Sequence, residues 1–369
     1  MKISTITFQE SLNYGALLQA HALQRVLAGM GHDAEIINYH SKAKEAFYQS
    51  KLDKSKSLAN NINILLSFGL RRRRTQIAAS FLKSHLALTA RVFAVKEDLE
   101  AYARTRDCII CGSDQIWNVV KTKNDATYFL DFVHDIHKKI AYAPSFGIAT
   151  IPEQAWAFYQ KHLASFSKIS VREASGASLL RDLLGRSAPV VLDPCMLLTA
   201  DQWDTVAQPT PVHTPYIFLY YVNDAKPLVD YAKALSAQTG MKVIFRARTI
   251  HDLRDGFKNV NLSVPQFVDT IKNASYVITN SFHGTVFSIL YQKKFISFAG
   301  QRKTFDTSSR VVDLLNDLGL QARLYTGDRQ ALFAEWDHAQ VESILAEKRQ
   351  ASLQFLTEAI QSGADAGKA

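Results

Sequence analysis

Six polar clusters in this 369-residue chain hold side chains able to do chemistry, and each directly follows a short apolar run. The strongest is Thr279-Asn280-Ser281-Phe282-His283-Gly284-Thr285. A histidine between a buried strand and a helix N-terminus can serve as a general acid at neutral pH or bind an anion. The chain has 11 histidines, and position is what sets His283 apart. Arg246 and Arg248 follow another apolar run, and Arg302, Lys303 and Arg310 lie downstream, enough positive charge for an anion pocket. Val171-Arg172-Glu173 adds a guanidinium whose fork of donors suits phosphate or carboxylate; a structural Arg172–Glu173 pairing with neighbours is the rival explanation.

A second group of clusters is less charged. Gly112-Ser113-Asp114-Gln115-Ile116-Trp117-Asn118 follows Cys108-Ile109-Ile110-Cys111. Asp114 and Gln115 can hold sugar hydroxyls, and Trp117 offers a sugar face an apolar platform. An Asx turn with Trp117 in the core is the plainer account of part of this loop. In Ser11-Leu12-Asn13-Tyr14-Gly15 the glycine allows close backbone approach and the following helix end favours an anion. A turn with an N-cap explains that stretch equally well. Asp193-Pro194 reads as a turn or helix cap.

Three further motifs carry less. Cys108 and Cys111 form a C-x-x-C, but positions three apart in a strand face opposite sides and cannot share a metal. His134 and His137 have roughly helical spacing with no further ligand nearby, and DFVHDIHKK reads as a polar turn, so no metal site is expected. The run Arg71–Arg74 suits an anionic surface or nucleic acid as readily as a solvated helix face.

The elements that must position these clusters alternate between apolar runs of strand length and helical patterns, the signature of an α/β protein with parallel sheets. Ligands in such sheets bind beyond the carboxyl ends of the strands, where the clusters fall. Strands are predicted at Ile3–Phe8, Ala34–Tyr39, Cys108–Cys111, Ile140–Phe146, Ile169–Val171 and Val190–Leu192. The helix Ala16–Met30 shows an apolar stripe and stops at Gly31. Residues 41–95 are lysine-rich and weakly patterned, and read as a helical basic insertion. Pro209, Pro211 and Pro215 mark a boundary, after which the scheme repeats with strands at Tyr216–Val222, Lys242–Phe245, Tyr276–Thr279 and Lys294–Ala299. The expected division is a first α/β domain over 1–205, a second over 206–330, and a C-terminal helix within 331–369 that returns to the first.

Composition bounds the rest. Lys+Arg number 43 against 34 Asp+Glu, a formal net charge of +9, and hydrophobic residues make up 47%. These values exclude disorder and coiled coil, and about 150 residues per domain makes two domains the expectation. Mean hydropathy is −0.08, and no run nears the ~20 apolar residues of a membrane span. The start, MKISTITF, enters a strand pattern without an apolar core and cleavage site, so a cytoplasmic protein without a signal peptide is expected. Three cysteines are too few for a disulfide framework. Nothing beyond the charge excess points to nucleic acid, which is not expected as a partner.

In order along the chain, SLNYGALLQAHALQ, IICGSDQIWN, YAPSFG, ISVRE, VLDPCMLL and ITNSFHGTVFSILYQKKF make it resemble the polysaccharide pyruvyl transferase family. The resemblance implies two Rossmann-like domains facing a central cleft, of the glycosyltransferase-B type. It also implies transfer of pyruvate from phosphoenolpyruvate to two hydroxyls of one sugar, forming a cyclic ketal, with phosphoenolpyruvate as co-substrate and no cofactor or metal. Under it Arg172 would hold the phosphate and His283 would bind the donor and act as acid. Asn13, Tyr14, Gly15, Ser113, Asp114, Gln115 and Trp117 would face the acceptor, with Asp114 a base on a hydroxyl. The family often has Arg-Leu-His where this chain has Ser281-Phe282-His283, and Arg310, Lys303 and Arg246 are the candidates to replace that cation. The family's usual acceptors are sugars of exopolysaccharides or cell-wall polymers, often on a lipid carrier. The 41–95 segment, Arg71–Arg74 above all, is therefore expected to approach an anionic membrane surface or the carrier diphosphate. Two rivals are a nucleotide-sugar glycosyltransferase and a non-catalytic glycan-binding relative. The first would want a carboxylate on the helix after the donor loop, and Thr285–Tyr291 has none.

Overall fold

Ten short strands build two separate parallel sheets in the computed structural model, which describes residues 1–41, 67–148, 150–222, 226–247, 252–253, 256–299 and 309–366. In the first sheet are β1 (Lys2–Ile6), β2 (Asp33–Ile36), β3 (Cys108–Cys111), β4 (Lys139–Ala141) and β5 (Lys168–Ile169). Their spatial order is β2-β1-β3-β4-β5. In the second are β6 (Tyr216–Tyr220), β7 (Lys242–Phe245), β8 (Lys258–Asn259), β9 (Tyr276–Thr279) and β10 (Lys294–Ser297), ordered β10-β9-β6-β7-β8. The α/β class with two Rossmann-like sheets expected from the sequence holds.

Each order reverses direction once, between β1 and β3 and between β6 and β9. At such a switch point the loops leaving neighbouring strands part and open a crevice. Register brings Ile6 beside Cys111 and Tyr220 beside Thr279, so the loops after these four strand ends are the ones that can form it. β3 is buried along its whole length. Cys108 and Ile110 join the core on one face and Ile109 and Cys111 the core on the other, the alternation that rules out a shared metal between the cysteines.

Several predicted strands end early, for local reasons. Ile140–Phe146 stops at Ala141 because Ala143 turns into the left-handed region (φ 54°) and Pro144 has no N–H for a ladder. Val190–Leu192 pairs only through one bridge, Val171 to Val190. β8, two residues at the sheet edge, carried no sequence pattern.

One apolar cluster runs through both sheets' helices. Tyr14 meets Phe267 at 5.3 Å between ring centroids, and Trp203 meets Phe287 at 4.9 Å. The C-terminal helix His338–Ala366 packs on the first sheet's side, where the Leu192 amide donates to Ser352 Oγ (3.0 Å) and Arg349 Nε to the Met196 carbonyl (3.0 Å). Of the basic insertion, 42–66 lies outside the described residues, while Phe68–His85 is a surface helix that carries Arg71–Arg74. Among the described residues no helix is long and apolar enough to cross a membrane.

Candidate active site

Asp193 is where the two halves of the site meet. It leaves the Val190–Leu192 segment and caps the short helix Pro194–Leu197, its Oδ1 accepting from the Cys195 amide at 3.0 Å. The other oxygen, Oδ2, accepts from Arg172 Nη1 (2.8 Å) and Ser113 Oγ (3.1 Å), and lies 3.5 Å from His283 Nε2. Burial alone would raise this carboxyl, but the positive charge of His283 and Arg172 and the Cys195 amide hold it well below the usual carboxylate range.

Arg172 is buried beyond the end of β5. Its Nε donates to Glu173 Oε1 at 2.9 Å, and its guanidinium lies over the Phe282 ring, 4.4 Å from the centroid. Arg310 approaches the same ring at 5.9 Å from the helix Ser309–Asp317. Burial, with Arg172 close by, draws Arg310 down to about 10, which leaves it cationic at neutral pH. Arg172 Nη2 and Arg310 Nε are buried without a hydrogen-bond partner among the described residues. These groups line a narrow cleft with Met196, Asp313 and Lys348.

Asp114 comes from the end of β3. Its backbone is left-handed (φ 72°), a conformation that costs a non-glycine residue about 1–2 kcal/mol. The Ser145 amide donating to the Asp114 carbonyl (2.9 Å) and the bridge to Pro144 hold it there. Burial would raise its carboxyl, yet Arg172, His283, Lys121 and Arg310 together keep it low and ionised. Lys121 sits on the one-turn helix Val119–Thr122 after the loop. Desolvation, Arg310 and Arg172 pull its ammonium down against the opposing pull of Asp114, and because the side chain is exposed, water moderates that pull without reversing its direction.

The structure therefore brings Ser113, Asp114, Arg172, His283 and Arg310 together. The Arg172–Glu173 pairing weighed as the rival explanation is present, whereas sequence reasoning missed Lys121 and the second role of Asp193. A carboxylate directly after an apolar run was the available signal for Asp193; for Lys121 there was none, since a single helical turn folds it back.

Other expected site residues stand elsewhere. Trp117 is fully buried, stacked on Phe129 (5.7 Å, 9°), with Nε1 donating to the Tyr128 carbonyl (3.3 Å), so no ring face is left for a sugar. Gln115 is buried with its amide packed against Gly147. Tyr14 is 1% exposed and donates its hydroxyl to the Leu262 carbonyl (2.5 Å), which corrects its expected acceptor role. Arg246 covers the Tyr14 ring, 4.0 Å from its centroid, instead of joining Arg172. Asn13 caps the helix Tyr14–Gly29 by accepting from the Gly15 amide (3.1 Å) and accepts from Tyr220 across the interface (3.4 Å). Gly15 lies against the His283 ring. Ser281, expected among the donor-binding residues, caps the helix Phe282–Leu290, its hydroxyl oxygen accepting from the Gly284 amide at 3.3 Å. Arg248, Arg302 and Lys303 lie outside the described residues.

Ligand atoms of Asp193, Cys195 and His283 lie within 4.8 Å of one another, but the set suits no divalent ion. Asp193 Oδ2 already holds a guanidinium, and burial beside Asp193 pushes the Cys195 thiol well up, away from the thiolate a metal needs.

Two parallel sheets, with a buried arginine–carboxylate–histidine cluster and a cleft lined by two guanidiniums between them, define an α/β protein of two facing sheets. Residues 13–302 match the family model of polysaccharide pyruvyl transferases, and the chain belongs to that family. No curated protein matches its sequence significantly. Among solved structures it is similar to the UDP-GlcNAc 2-epimerase of Methanocaldococcus jannaschii, at 14% identity and TM-score 0.48, covering 95% of this chain and 94% of that one. It is also similar to the Escherichia coli heptosyltransferase WaaC, at 12% identity and TM-score 0.40, covering 94% and 99%. Likenesses this distant leave the description of the fold to the chain's own two sheets.

Proposed function

We propose that this transferase moves pyruvate from phosphoenolpyruvate to two hydroxyls of one sugar in an exopolysaccharide or cell-wall glycan precursor. The observation that carries the reading is the cation pair Arg172 and Arg310 on the Phe282 ring, in a cleft closed by Asp193 and His283. A small donor bearing phosphate and carboxylate needs two guanidiniums with free donors, and each of these two has a buried one. His283 delivers a proton to the donor's methylene carbon, which makes the central carbon electrophilic. Asp114, ionised at neutral pH, takes the proton of the first sugar hydroxyl as its oxygen bonds to that carbon. Phosphate leaves with its bridging oxygen, and the second hydroxyl closes the ketal with loss of its own proton. The scheme uses no metal and no nucleotide.

Phosphate release from phosphoenolpyruvate, screened against pyranosides and lipid-linked sugars, tests this. Sugar-stimulated release that disappears in Arg172→Ala and His283→Ala supports it. Binding of a uridine or guanosine sugar nucleotide, with no phosphate release from phosphoenolpyruvate under any acceptor, overturns it in favour of a glycosyltransferase.

A further inference from the structure

The run Arg71–Arg74 takes no part in the cleft, yet two of its arginines border a groove of their own. Arg72 and Arg73 line a groove of about 570 Å³ between the Phe68–His85 helix and the start of the Val264–Asn273 helix, so each half of the molecule supplies one wall. Ile77, Phe81 and Pro265 make an apolar floor. Among the described residues no aspartate or glutamate lines the groove. Neither Arg72 nor Arg73 has an ion pair or hydrogen bond with a described residue, unlike Arg106, which meets Glu35 at 2.7 Å, or Arg172. Among the described residues these two guanidiniums are therefore uncompensated, each with five N–H donors in a fixed fork that matches phosphate oxygens.

The helix end in the opposite wall adds partial positive charge but few donors. Pro265 has no N–H, and the Gln266 amide already donates to Ser263 Oγ at 3.2 Å. Hydrogen bonding thus falls to the arginines. Successive residues on a helix diverge by about 100°, so Arg72 and Arg73 reach into one groove from different directions. A single phosphate satisfies one fork, whereas two linked phosphates present separate oxygens to both.

We propose that this groove is a second anion site, distinct from the donor cleft, and that it binds an organic diphosphate whose organic part rests on Ile77, Phe81 and Pro265. The proposal stands whatever chemistry the cleft performs. An anionic lipid surface is the rival source of phosphate, because Phe68, 64% exposed, sits one helical turn before Arg72.

Inorganic pyrophosphate, titrated calorimetrically into the full chain, is the probe. Binding should weaken at least tenfold in Arg72→Ala/Arg73→Ala, and by less in Arg72→Lys/Arg73→Lys, which keeps the charges and loses the forks. Ser84→Trp fills the groove without changing charge and should weaken binding too; circular dichroism checks that each variant is folded. Equal affinity in wild type and all three variants overturns the site. Arginine-dependent binding to phosphatidylglycerol vesicles that saturating pyrophosphate leaves unchanged also overturns it, since the arginines then serve a lipid surface. Because every reading is of binding, failure here leaves sugar-stimulated phosphate release untouched.

Discussion

Gly15 and His283 touch across the interface between the two sheets. A Cβ on residue 15 would overlap the imidazole and stand 2.6 Å from the His283 Cβ, closer than such atoms approach. The glycine is required here by proximity, since its backbone lies in the first turn of an ordinary helix. Gly15→Ala should therefore push the imidazole away from Asp193. The expected overpacking cost is about 1–3 kcal/mol, read by urea unfolding, together with a fall in turnover of at least tenfold. His283→Ala added to Gly15→Ala should restore stability and leave turnover absent. Unchanged unfolding and turnover in Gly15→Ala would show that the two residues do not share one space.

The buried Arg172–Asp193 pair predicts strong non-additivity. Removing one member leaves the other charged and desolvated, which costs about 3–5 kcal/mol. Arg172→Met and Asp193→Leu should each be strongly destabilising, and their combination less so than the sum. Strict additivity in the unfolding free energies would argue that each side chain has independent partners.

Trp117 predicts a separation of stability from binding. With the ring stacked on Phe129 and its N–H bonded to the Tyr128 carbonyl, Trp117→Phe should lower stability and leave the KM for the acceptor sugar unchanged. Trp117→Ala should cost about 3–5 kcal/mol of folding free energy. A KM raised tenfold in a stably folded Trp117→Phe would reinstate the ring as a sugar platform.

What the sequence made legible was the set of strand ends. Apolar runs at Cys108–Cys111 and Tyr276–Thr279 are strands from end to end, so the loops after them were located correctly. Less legible was which side chain of a loop turns outward. Ile116 and Trp117 lie two and three residues after Asp114 in the same loop, yet both are fully buried in the core, and the chain turns at Asp114 through a left-handed backbone. Asp193 was read as a cap, and it is one through Oδ1; a sequence cannot show that Oδ2 remains free for partners from three other segments. Arg172 and Arg310 meet only because both lie on Phe282, a relation between distant elements with no local signature.

Acid stability supplies the last prediction. Asp193 and Asp114 both titrate below their ordinary value in the folded chain, because nearby cations outweigh the opposing effect of burial. Between the folded and the unfolded pKa the unfolded chain binds more protons, so stability rises with pH across that window. The stabilisation is complete above the ordinary aspartate range, near pH 4, and is lost as pH falls through the folded values. Asp193, held lower, should govern the more acidic part of that loss. Melting temperature should hold nearly level from pH 6 to about pH 5 and fall steeply as the pH is taken on down to 2 in the wild type. Asp193→Asn should start from a lower melting temperature and show a flatter acid limb, because the proton that wild type must take up at this position is no longer linked to unfolding. An acid limb as steep as that of wild type would assign the loss to other carboxylates and remove Asp193 from the role of charge partner to both Arg172 and His283.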